Sequence, residues 1–400
     1  MPLSHPRGPA VDAARAALRA CGVLIVVALI AVVLLLMRAV GAPAALAAHG
    51  FTAPSAATQA ASELVYSSFL GDRSEFWAAS PTALQQPRRI ATVSHADGFG
   101  LRASLSPRGR HIAYLTLPRG SYDGATQGVL WLMAIDGSGG RTLAEGLDAV
   151  RAPVWSPDGR RVAVRRAHPE PGDVTRYSLV VVDVARGEVS VPLPPMAGDG
   201  IYPFGWSDDS RSVYLAVIAS GGTDFLRVGL DGSSAGLVHA SDGIARDFRL
   251  APDGTRVVYN EAPSGAASPY RLLTAALTTG QITELNRGAE PLLSPLWRPG
   301  SASIVAGSGP GPLLSGGGLV EFGAGGAAAP TLLLAAPQGG LAVPLGWPSE
   351  GRWLAAQQLT GSNLARITSA RLVVVDQVGG RTLPITSAGY LEFVGWSGGG

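Results

Sequence analysis

Short apolar segments recur along the chain, and each group of them is organised around the same polar turn. The best-defined unit contains, in order, an apolar segment at 152–155, the turn Ser156-Pro-Asp-Gly159, an alternating segment at 161–165, a nearly continuous apolar segment at 177–183, and a last segment at 188–192. Ser, Pro and Gly at the first, second and fourth positions favour a type I turn. The pattern predicts four antiparallel strands in each unit.

The unit returns at a nearly constant interval, marked by one large residue just before the turn. These anchor residues are Leu105, Trp155, Trp206, Leu250, Trp297, Trp347 and Trp396, and successive anchors lie 50, 51, 44, 47, 50 and 49 residues apart. A β-rich repeat of this length is typical of a propeller or a solenoid. Because the tryptophans occupy the same position in each unit, we expect them to pack between units.

The two ends of the repeated region complement each other. Residues 63–67, 75–79 and 88–92 resemble the second, third and fourth strands of a unit that has no first strand, whereas residues 390–396 resemble a first strand with nothing after it. Joining the ends removes the exposed strand edges of an open array. The sequence therefore predicts an all-β, seven-bladed β-propeller over residues 62–400, closed by the C-terminal strand, with six or eight blades as alternatives. The glycine-rich stretch 308–329 leaves one blade poorly defined.

The repeats also resemble a known family. The segments WSPDGRRVAV, WSDDSRSVYLAV, SPRGRHIAYL and APDGTRVVYN are similar to TolB-like, PD40-type repeats, which are WD40-like without sharing the Trp-Asp dipeptide. The resemblance covers the chain from Ser62 to its end and implies an exported propeller that serves as a protein-interaction platform or precedes a hydrolase domain. The chain departs from the family pattern at Leu105 and Leu250, where Leu replaces Trp, and after Trp297, where Pro-Asp-Gly is lost.

The N-terminal region carries a candidate membrane segment. Residues 20–40 are almost entirely apolar, and about 20 apolar residues are enough to cross a bilayer. Three arginines precede this run, while after Arg38 no basic residue occurs until Arg73. We therefore expect a cytoplasmic segment at 1–19, a single transmembrane signal-anchor helix at 20–40, a flexible tether at 41–61 and a propeller outside the bacterial cell membrane. Secretion after cleavage of a signal peptide near Ala47 is the alternative.

Composition limits the chemistry that the chain can carry. A formal net charge of +2 argues against nucleic acid as a partner. Cys21 is the sole cysteine, and the histidines occupy unrelated positions of the repeat, so the sequence predicts no metal site and no cofactor. Ser397 satisfies a Gly-x-Ser-x-Gly pattern, but it follows the anchor Trp396 and lacks the helix, acid and histidine that a nucleophile needs. We therefore assign no catalytic residue.

Two sets of polar residues precede the first strands of the units. The first set, seven or eight positions before an anchor, is Asp97, Asp148, Asp199, Asp242 and Glu290. The second set, four positions before an anchor, is Arg151, Tyr202, Arg246 and Glu392. These positions predict the rim and the wall of the central channel. The hypothesis is a polar funnel with an acidic rim that binds a cation, a basic peptide or a small polar ligand. Turn formation is the alternative role of the acids, since three of them precede Gly.

The sequence thus favours a binding or scaffolding module, anchored in the membrane by its N-terminal helix, with a protein or peptide partner in the cell envelope. A non-enzymatic role is the expectation. The alternatives are a propeller enzyme of hydrolase or lyase type, with a polar or metal site at the channel mouth, and an accessory subunit of an envelope complex. An enzyme requires two or more acidic or histidine side chains close to one point, with shifted pKa values.

Overall fold

The computed structural model describes residues 62–398 except 122, 172–173, 199, 220–221, 232–235, 242, 263–270, 287–291, 309–316, 327–328, 339 and 364–365. The predicted cytoplasmic segment, membrane helix and tether, at 1–19, 20–40 and 41–61, therefore lie outside the described residues. Across the ranges that are described, no helix has the length and apolar character needed to cross a membrane.

The described residues form 28 strands in seven four-stranded antiparallel sheets, each of which is one blade. The closing blade begins with β1 (Glu63–Phe69), β2 (Arg73–Ala79) and β3 (Arg88–Ser94). Blade 1 contains β4 (Arg102–Leu105), β5 (His111–Thr116), β6 (Gly128–Ala134) and β7 (Arg141–Leu147). Blade 2 contains β8 (Val154–Trp155), β9 (Arg161–Glu170), β10 (Val174–Asp183) and β11 (Val189–Ala197).

The remaining blades repeat this order. Blade 3 contains β12 (Gly200–Trp206), β13 (Ser212–Ala219), β14 (Gly222–Gly229) and β15 (Gly236–Ser241). Blade 4 contains β16 (Ile244–Leu250), β17 (Arg256–Ala262), β18 (Arg271–Ala276) and β19 (Ile282–Glu284). Blade 5 contains β20 (Leu292–Trp297), β21 (Ser303–Ser308), β22 (Gly318–Gly323) and β23 (Thr331–Ala335). Blade 6 contains β24 (Gly340–Gly346), β25 (Trp353–Asn363), β26 (Arg366–Asp376) and β27 (Arg381–Pro384), and β28 (Tyr390–Ser397) ends the propeller.

The C-terminal strand closes the ring. β28 pairs antiparallel with β1, so that Tyr390 lies opposite Phe69 and Ser397 opposite Glu63, and the closing blade has the order β28-β1-β2-β3. This confirms the predicted seven blades and their closure. Ser397 is a paired strand residue whose exposed fraction is 6%. It is therefore part of the repeat, as its position after an anchor predicted.

The polar turns are held by hydrogen bonds that the sequence repeats. Ser156 Oγ donates to Asp158 Oδ1 at 2.6 Å and accepts the Arg161 backbone N–H at 3.0 Å. Ser207 Oγ makes the same bond to Asp209 Oδ1 at 2.6 Å. Each serine therefore satisfies a backbone donor that would otherwise lose its partner inside the turn.

Anchor residues join each blade to the one before it. Four indole N–H groups donate to inner-strand carbonyls of the preceding blade: Trp155 to Ser104 (3.2 Å), Trp206 to Val154 (3.0 Å), Trp297 to Arg249 (3.0 Å) and Trp396 to Gly346 (3.0 Å). The predicted position of the tryptophans between blades is thus confirmed. The two leucine anchors instead pack against glycines: an added Cβ would lie 2.9 Å from Leu105 at Gly395 and 2.7 Å from Leu250 at Gly205.

The first strands of the blades surround the central channel. Each of these inner strands (β4, β8, β12, β16, β20, β24 and β28) contacts the inner strands of both neighbouring blades. All of these inner strands run in the same direction along the channel axis. Each begins after a connection from the previous blade and ends at a polar turn. We call the end with the blade connections the loop face and the end with the polar turns the turn face.

Candidate functional site

Six of the nine residues that the sequence predicted for the channel lie in the described part of the chain. Asp199, Asp242 and Glu290 lie outside it. Arg151, Tyr202, Arg246 and Glu392 lie on or just before inner strands, as their distance from the anchors predicted. Asp148 precedes the inner strand of blade 2, and Asp97 precedes that of blade 1.

Asp148 forms a buried ion pair that the sequence did not reveal. Its Oδ2 lies 2.7 Å from Nη2 of Arg165, and the two side chains are only 1% and 7% exposed. The Val150 backbone N–H also donates to Asp148 Oδ1 at 2.7 Å. Burial raises the pKa of Asp148 above its ordinary value, although Arg165 and the Val150 amide both favour the carboxylate. Asp148 is therefore a buried partner of an arginine, and its carboxylate does not face an open rim.

Arg165 links blade 2 to blade 3. Its guanidinium carbon lies 4.5 Å from the centre of the Tyr202 ring and 4.8 Å from that of Tyr177, and Nη1 donates to the Ile201 carbonyl at 3.3 Å. Burial lowers the pKa of Arg165, but Asp148 and then Tyr202 outweigh that effect and leave it raised. The guanidinium of Arg165 is therefore protonated. The alternating pattern of β9 was the one sequence signal that Arg165 is buried. Arg165 lies two positions after the buried Ala163 and therefore on the same face of the strand.

The Tyr202 ring also contacts a second arginine. The Arg151 guanidinium carbon lies 5.2 Å from the centre of the Tyr202 ring, so Tyr202 contacts both Arg151 and Arg165. Cation–π contacts of this kind orient a guanidinium without neutralising its charge. Arg151 is exposed and forms no ion pair with any residue that the structure describes. It is therefore a charged group available to a ligand.

Blade 4 contributes two further arginines and a strained residue. Arg246 pairs with Asn260 and Arg249 with Val258, so a bulge interrupts β16 between the two arginines. Asp247, inside the bulge, has a φ of 53°. Burial inside the channel lowers the pKa of Arg249, an effect that Asp247 opposes and Arg151 increases. The Arg249 side chain is nevertheless exposed to solvent.

Glu392 lies on the closing strand and is paired. Arg102 Nη1 donates to both of its carboxylate oxygens, at 3.0 and 3.3 Å. Arg102 Nε donates to the Val150 carbonyl at 3.2 Å. Burial raises the pKa of Glu392, and Arg102 opposes that rise. Among the described carboxyl groups of the channel, Glu392 and Asp148 thus each form an ion pair with a different arginine.

Asp97 is separate from this group. Its side chain is exposed, and within the described residues no hydrogen bond, ion pair or ring contact joins it to the other predicted site residues. The nearby His95 is buried, with Nε2 2.9 Å from Ser74 Oγ and Nδ1 3.0 Å from the Ala96 carbonyl. Burial lowers the pKa of His95, so this histidine is a neutral packing residue.

The channel wall is asymmetric. At the position occupied by Arg151, Tyr202, Arg246 and Glu392 in their blades, blades 5 and 6 carry Leu293 and Val343. These two residues pack together with Leu341 and Leu345 in one apolar cluster. One side of the loop-face wall is therefore charged and the other is apolar.

The chemistry of this wall suits an anion better than a metal ion. Among the residues that the structure describes, no three His, Cys, Asp or Glu side chains are grouped so that they could hold a metal. Guanidinium groups donate hydrogen bonds and bind carboxylates or phosphates in a bidentate manner. At the turn face the surroundings differ, because a cavity of about 510 Å³ is lined mainly by aromatic, proline and glycine residues, among them Trp297, Trp347, Trp396 and Phe393.

Comparison with known proteins supports the fold. No protein-family model matches the chain. A dipeptidyl-peptidase 5 of Porphyromonas endodontalis is 28% identical over 99 residues, which is 25% of this chain and 14% of that protein. The match thus spans a small part of the curated relative.

Three solved structures illustrate the similarity. TolB from Acinetobacter baumannii is 17% identical, with a TM-score of 0.49 over 70% of this chain and 65% of that one. A structure from a study of two prolyl endopeptidases is 11% identical, with a TM-score of 0.55 over 83% and 50%. An oligogalacturonate lyase in complex with manganese is 12% identical, with a TM-score of 0.52 over 80% and 82%. At these identities the likeness concerns the fold alone. The chain is a seven-bladed β-propeller, consistent with the TolB-like, PD40-type repeats that its sequence resembles.

Proposed function

We propose that this protein is a binding or scaffolding module of the bacterial cell envelope, and that a protein or peptide partner binds at the loop face of the channel. The observation that carries this proposal is the set of arginines on the channel wall, with Arg151 and Arg246 towards the loop face and Arg249 further along β16, none of which forms an ion pair within the described residues. Concave sites with convergent polar groups are the usual places of ligand binding.

The proposal places the propeller outside the cytoplasm on a membrane anchor. Support comes from the sequence alone, through the apolar run 20–40 and the arginines before it. Release after cleavage near Ala47 is the alternative. Cell fractionation of the full-length chain, with mass spectrometry of its N-terminus, distinguishes the two: an intact N-terminus in the membrane fraction supports the anchor, and a new N-terminus near Ala47 supports secretion.

Capture of partners from solubilised membranes tests the binding site. We expect wild-type protein to capture a partner that Arg151→Glu and Arg246→Glu lose, because charge reversal at the channel wall repels what the wild type attracts. Arg108→Glu makes the same charge change at an exposed position in a turn-face turn and should retain the partner. Equal capture by all the variants would contradict a loop-face binding site.

An enzyme of hydrolase or lyase type is the second candidate. It is favoured by Glu392, since a carboxyl group with a raised pKa in a concave site is typical of active sites. The test is turnover of oligogalacturonate with manganese and of short peptides, the substrate classes suggested by proteins of similar fold. Turnover that Glu392→Gln abolishes would establish an enzyme, whereas the binding module predicts none.

A further inference from the structure

We propose that the partner presents an acidic peptide segment, whose carboxylates bind Arg151, Arg246 and Arg249 along the wall of the central channel. This inference rests on the proposed binding function and names the chemistry of the ligand. It replaces the cation or basic peptide that the spacing of the acidic residues alone suggested.

The described carboxylates of the channel are already engaged. Asp148 is paired with Arg165 at 2.7 Å, and Glu392 is paired with Arg102 at 3.0 Å. Asp247 Oδ2 accepts long hydrogen bonds of 3.4 Å from Asn260 Nδ2 and from the Ser294 backbone N–H. None of these carboxylates forms an ion pair with the three arginines within the described residues, although Asp247 acts electrostatically on Arg249.

The bulge in β16 puts two of the three arginines on one face. Arg246 and Arg249 are three residues apart, and in a regular strand they would point to opposite sides. Their partners Asn260 and Val258 are only two residues apart, so one extra residue is inserted between the arginines. The two guanidiniums therefore emerge on the same side of the strand.

The backbone that creates this arrangement is strained. Four described residues other than glycine have a positive φ, and two of them, Ser210 and Ser301, occupy polar turns. The other two are Asp247, with φ 53°, and Ser294, with φ 48°, which lie at matching positions of neighbouring inner strands. A bulge at the same place before the anchor also interrupts β12, β20, β24 and β28, so it belongs to the repeat. In blade 4 this shared feature of the fold aligns two arginines.

The arginines are partly ordered before a ligand arrives. Arg151 lies over the Tyr202 ring, and Arg249 Nη1 donates to the Phe248 carbonyl at 3.2 Å. Each guanidinium has five N–H donors, so most donors remain for a carboxylate. The proximity of Arg151 contributes to lowering the pKa of Arg249. A bound anion would relieve that repulsion between the two cations.

The charge is local, which favours a peptide over nucleic acid. The whole chain has a formal net charge of only +2, whereas binding to a phosphate backbone requires an extended basic surface. On the opposite channel wall, the described residues Leu293 and Val343 are apolar and belong to one cluster. A few acidic side chains therefore fit the site better than a long polyanion does.

Fluorescence anisotropy with labelled oligoglutamate, oligoglutamine and oligoarginine peptides of equal length tests the inference on the full-length chain. We expect oligoglutamate to bind best and to bind more weakly as salt is added. Arg151→Gln, Arg246→Gln and Arg249→Gln should each weaken that binding by about tenfold, which corresponds to about 1.4 kcal/mol. An oligonucleotide of the same charge should bind more weakly than oligoglutamate.

Arg108→Gln is the matched control, because it removes the same charge from an exposed residue at the turn face and should leave binding unchanged. Unaltered thermal unfolding of each variant shows that the fold is retained. Equal binding of oligoglutamate and oligoglutamine, preference for oligoarginine or for the oligonucleotide, or wild-type affinity in the triple variant would overturn the inference. If the membrane partner is still captured through the loop face in that case, the binding module stands without its acidic ligand. If capture also fails, both proposals fall.

Discussion

The carboxyl groups at the two ends of the channel shift in opposite directions. At the turn face, hydrogen bonds lower the pKa of Asp376, Asp209, Asp158 and Asp253 against a rise caused by burial, which is the largest single influence on Asp158 and Asp253. At the loop face, burial raises the pKa of Asp148 and Glu392, even though each carboxyl has an arginine beside it. The folded structure stabilises the ionised form of the first group of carboxyls, and burial destabilises the ionised form of the second group.

This difference separates residues that build the fold from residues that serve a site. Asp158 and Asp209 are bonded by a serine two positions earlier, so the same local sequence creates both the turn and its stability. Asp148 and Glu392 depend on arginines that other strands supply, and their burial costs free energy. A cost that the fold itself does not require is typical of functional positions. Changes at the turn face should therefore alter stability through the turns and anchors, and changes at the loop face should alter stability only where they break a buried ion pair.

The largest expected effect is at the turn face. Trp297 is 3% exposed, donates to the Arg249 carbonyl at 3.0 Å and lies beneath the Arg256 guanidinium. Trp297→Ala should lower the free energy of unfolding by about 5 kcal/mol, because it leaves a large cavity and an unpaired carbonyl. Urea denaturation followed by fluorescence measures the change. Trp297→Phe keeps an aromatic ring at this position and should lower the free energy of unfolding much less. Equal decreases in the two variants would contradict a packing role for Trp297.

The next effect is at the loop face. Asp148→Asn should lower the free energy of unfolding by about 3 kcal/mol, because Arg165 keeps a buried charge without a carboxylate. Replacing both residues, as Asp148→Leu with Arg165→Met, should recover most of that loss. Thermal and urea denaturation of the single and double variants give the coupling between the two side chains. Additive losses would mean that the ion pair contributes nothing of its own.

A third effect concerns the close approach of two inner strands at the turn face. A Cβ added to Gly346 would lie 2.4 Å from the ring of Phe393, so the ring must leave its present position. Gly346→Ala should therefore lower the free energy of unfolding by about 2 kcal/mol. Gly140→Ala is the matched control, since an added Cβ there meets no atom within 4 Å. Equal melting temperatures for the two variants would show that the strands can separate at no cost.

The sequence predicted the propeller because its signals are local and repeated. Anchors, polar turns and alternating segments recur at one interval, and the unmatched strands at 63–67 and 390–396 predicted the closure that β28 and β1 make. Chain order also predicted that Arg151, Tyr202, Arg246 and Glu392 lie on or just before inner strands.

What the sequence missed depends on contacts between blades. Arg165 meets Asp148 only because two strands distant from each other in the chain pack together, and no spacing encodes that contact. Arg249 was missed because the corresponding position before three other anchors is occupied by Gly205, Gly346 and Gly395. The bulge that aligns Arg249 with Arg246 is likewise a feature of strand register.

The smallest effect tests the comparison through pH. The pKa of Asp158 is raised by burial but lowered more by Ser156 and the Arg160 amide, so its net shift is downward. Its stabilisation is present above its unfolded pKa of about 3.9 and is lost as pH falls through the lower folded value. Glu392 has the opposite sign: its contribution is present below an unfolded pKa of about 4.3 and is lost as pH rises through the raised folded value.

Urea denaturation of Asp158→Asn and Glu392→Gln, from neutral pH into the acid range, measures both signs in one experiment. Asp158→Asn keeps an oxygen acceptor for the turn, so its deficit should be small at neutral pH and should vanish as the wild-type carboxylate is protonated. Glu392→Gln should gain on the wild type as pH rises through the same range, because the wild type alone must then ionise a buried carboxyl. Parallel pH profiles for the two variants would mean that the two ends of the channel do not differ in the way that their hydrogen bonds and burial require.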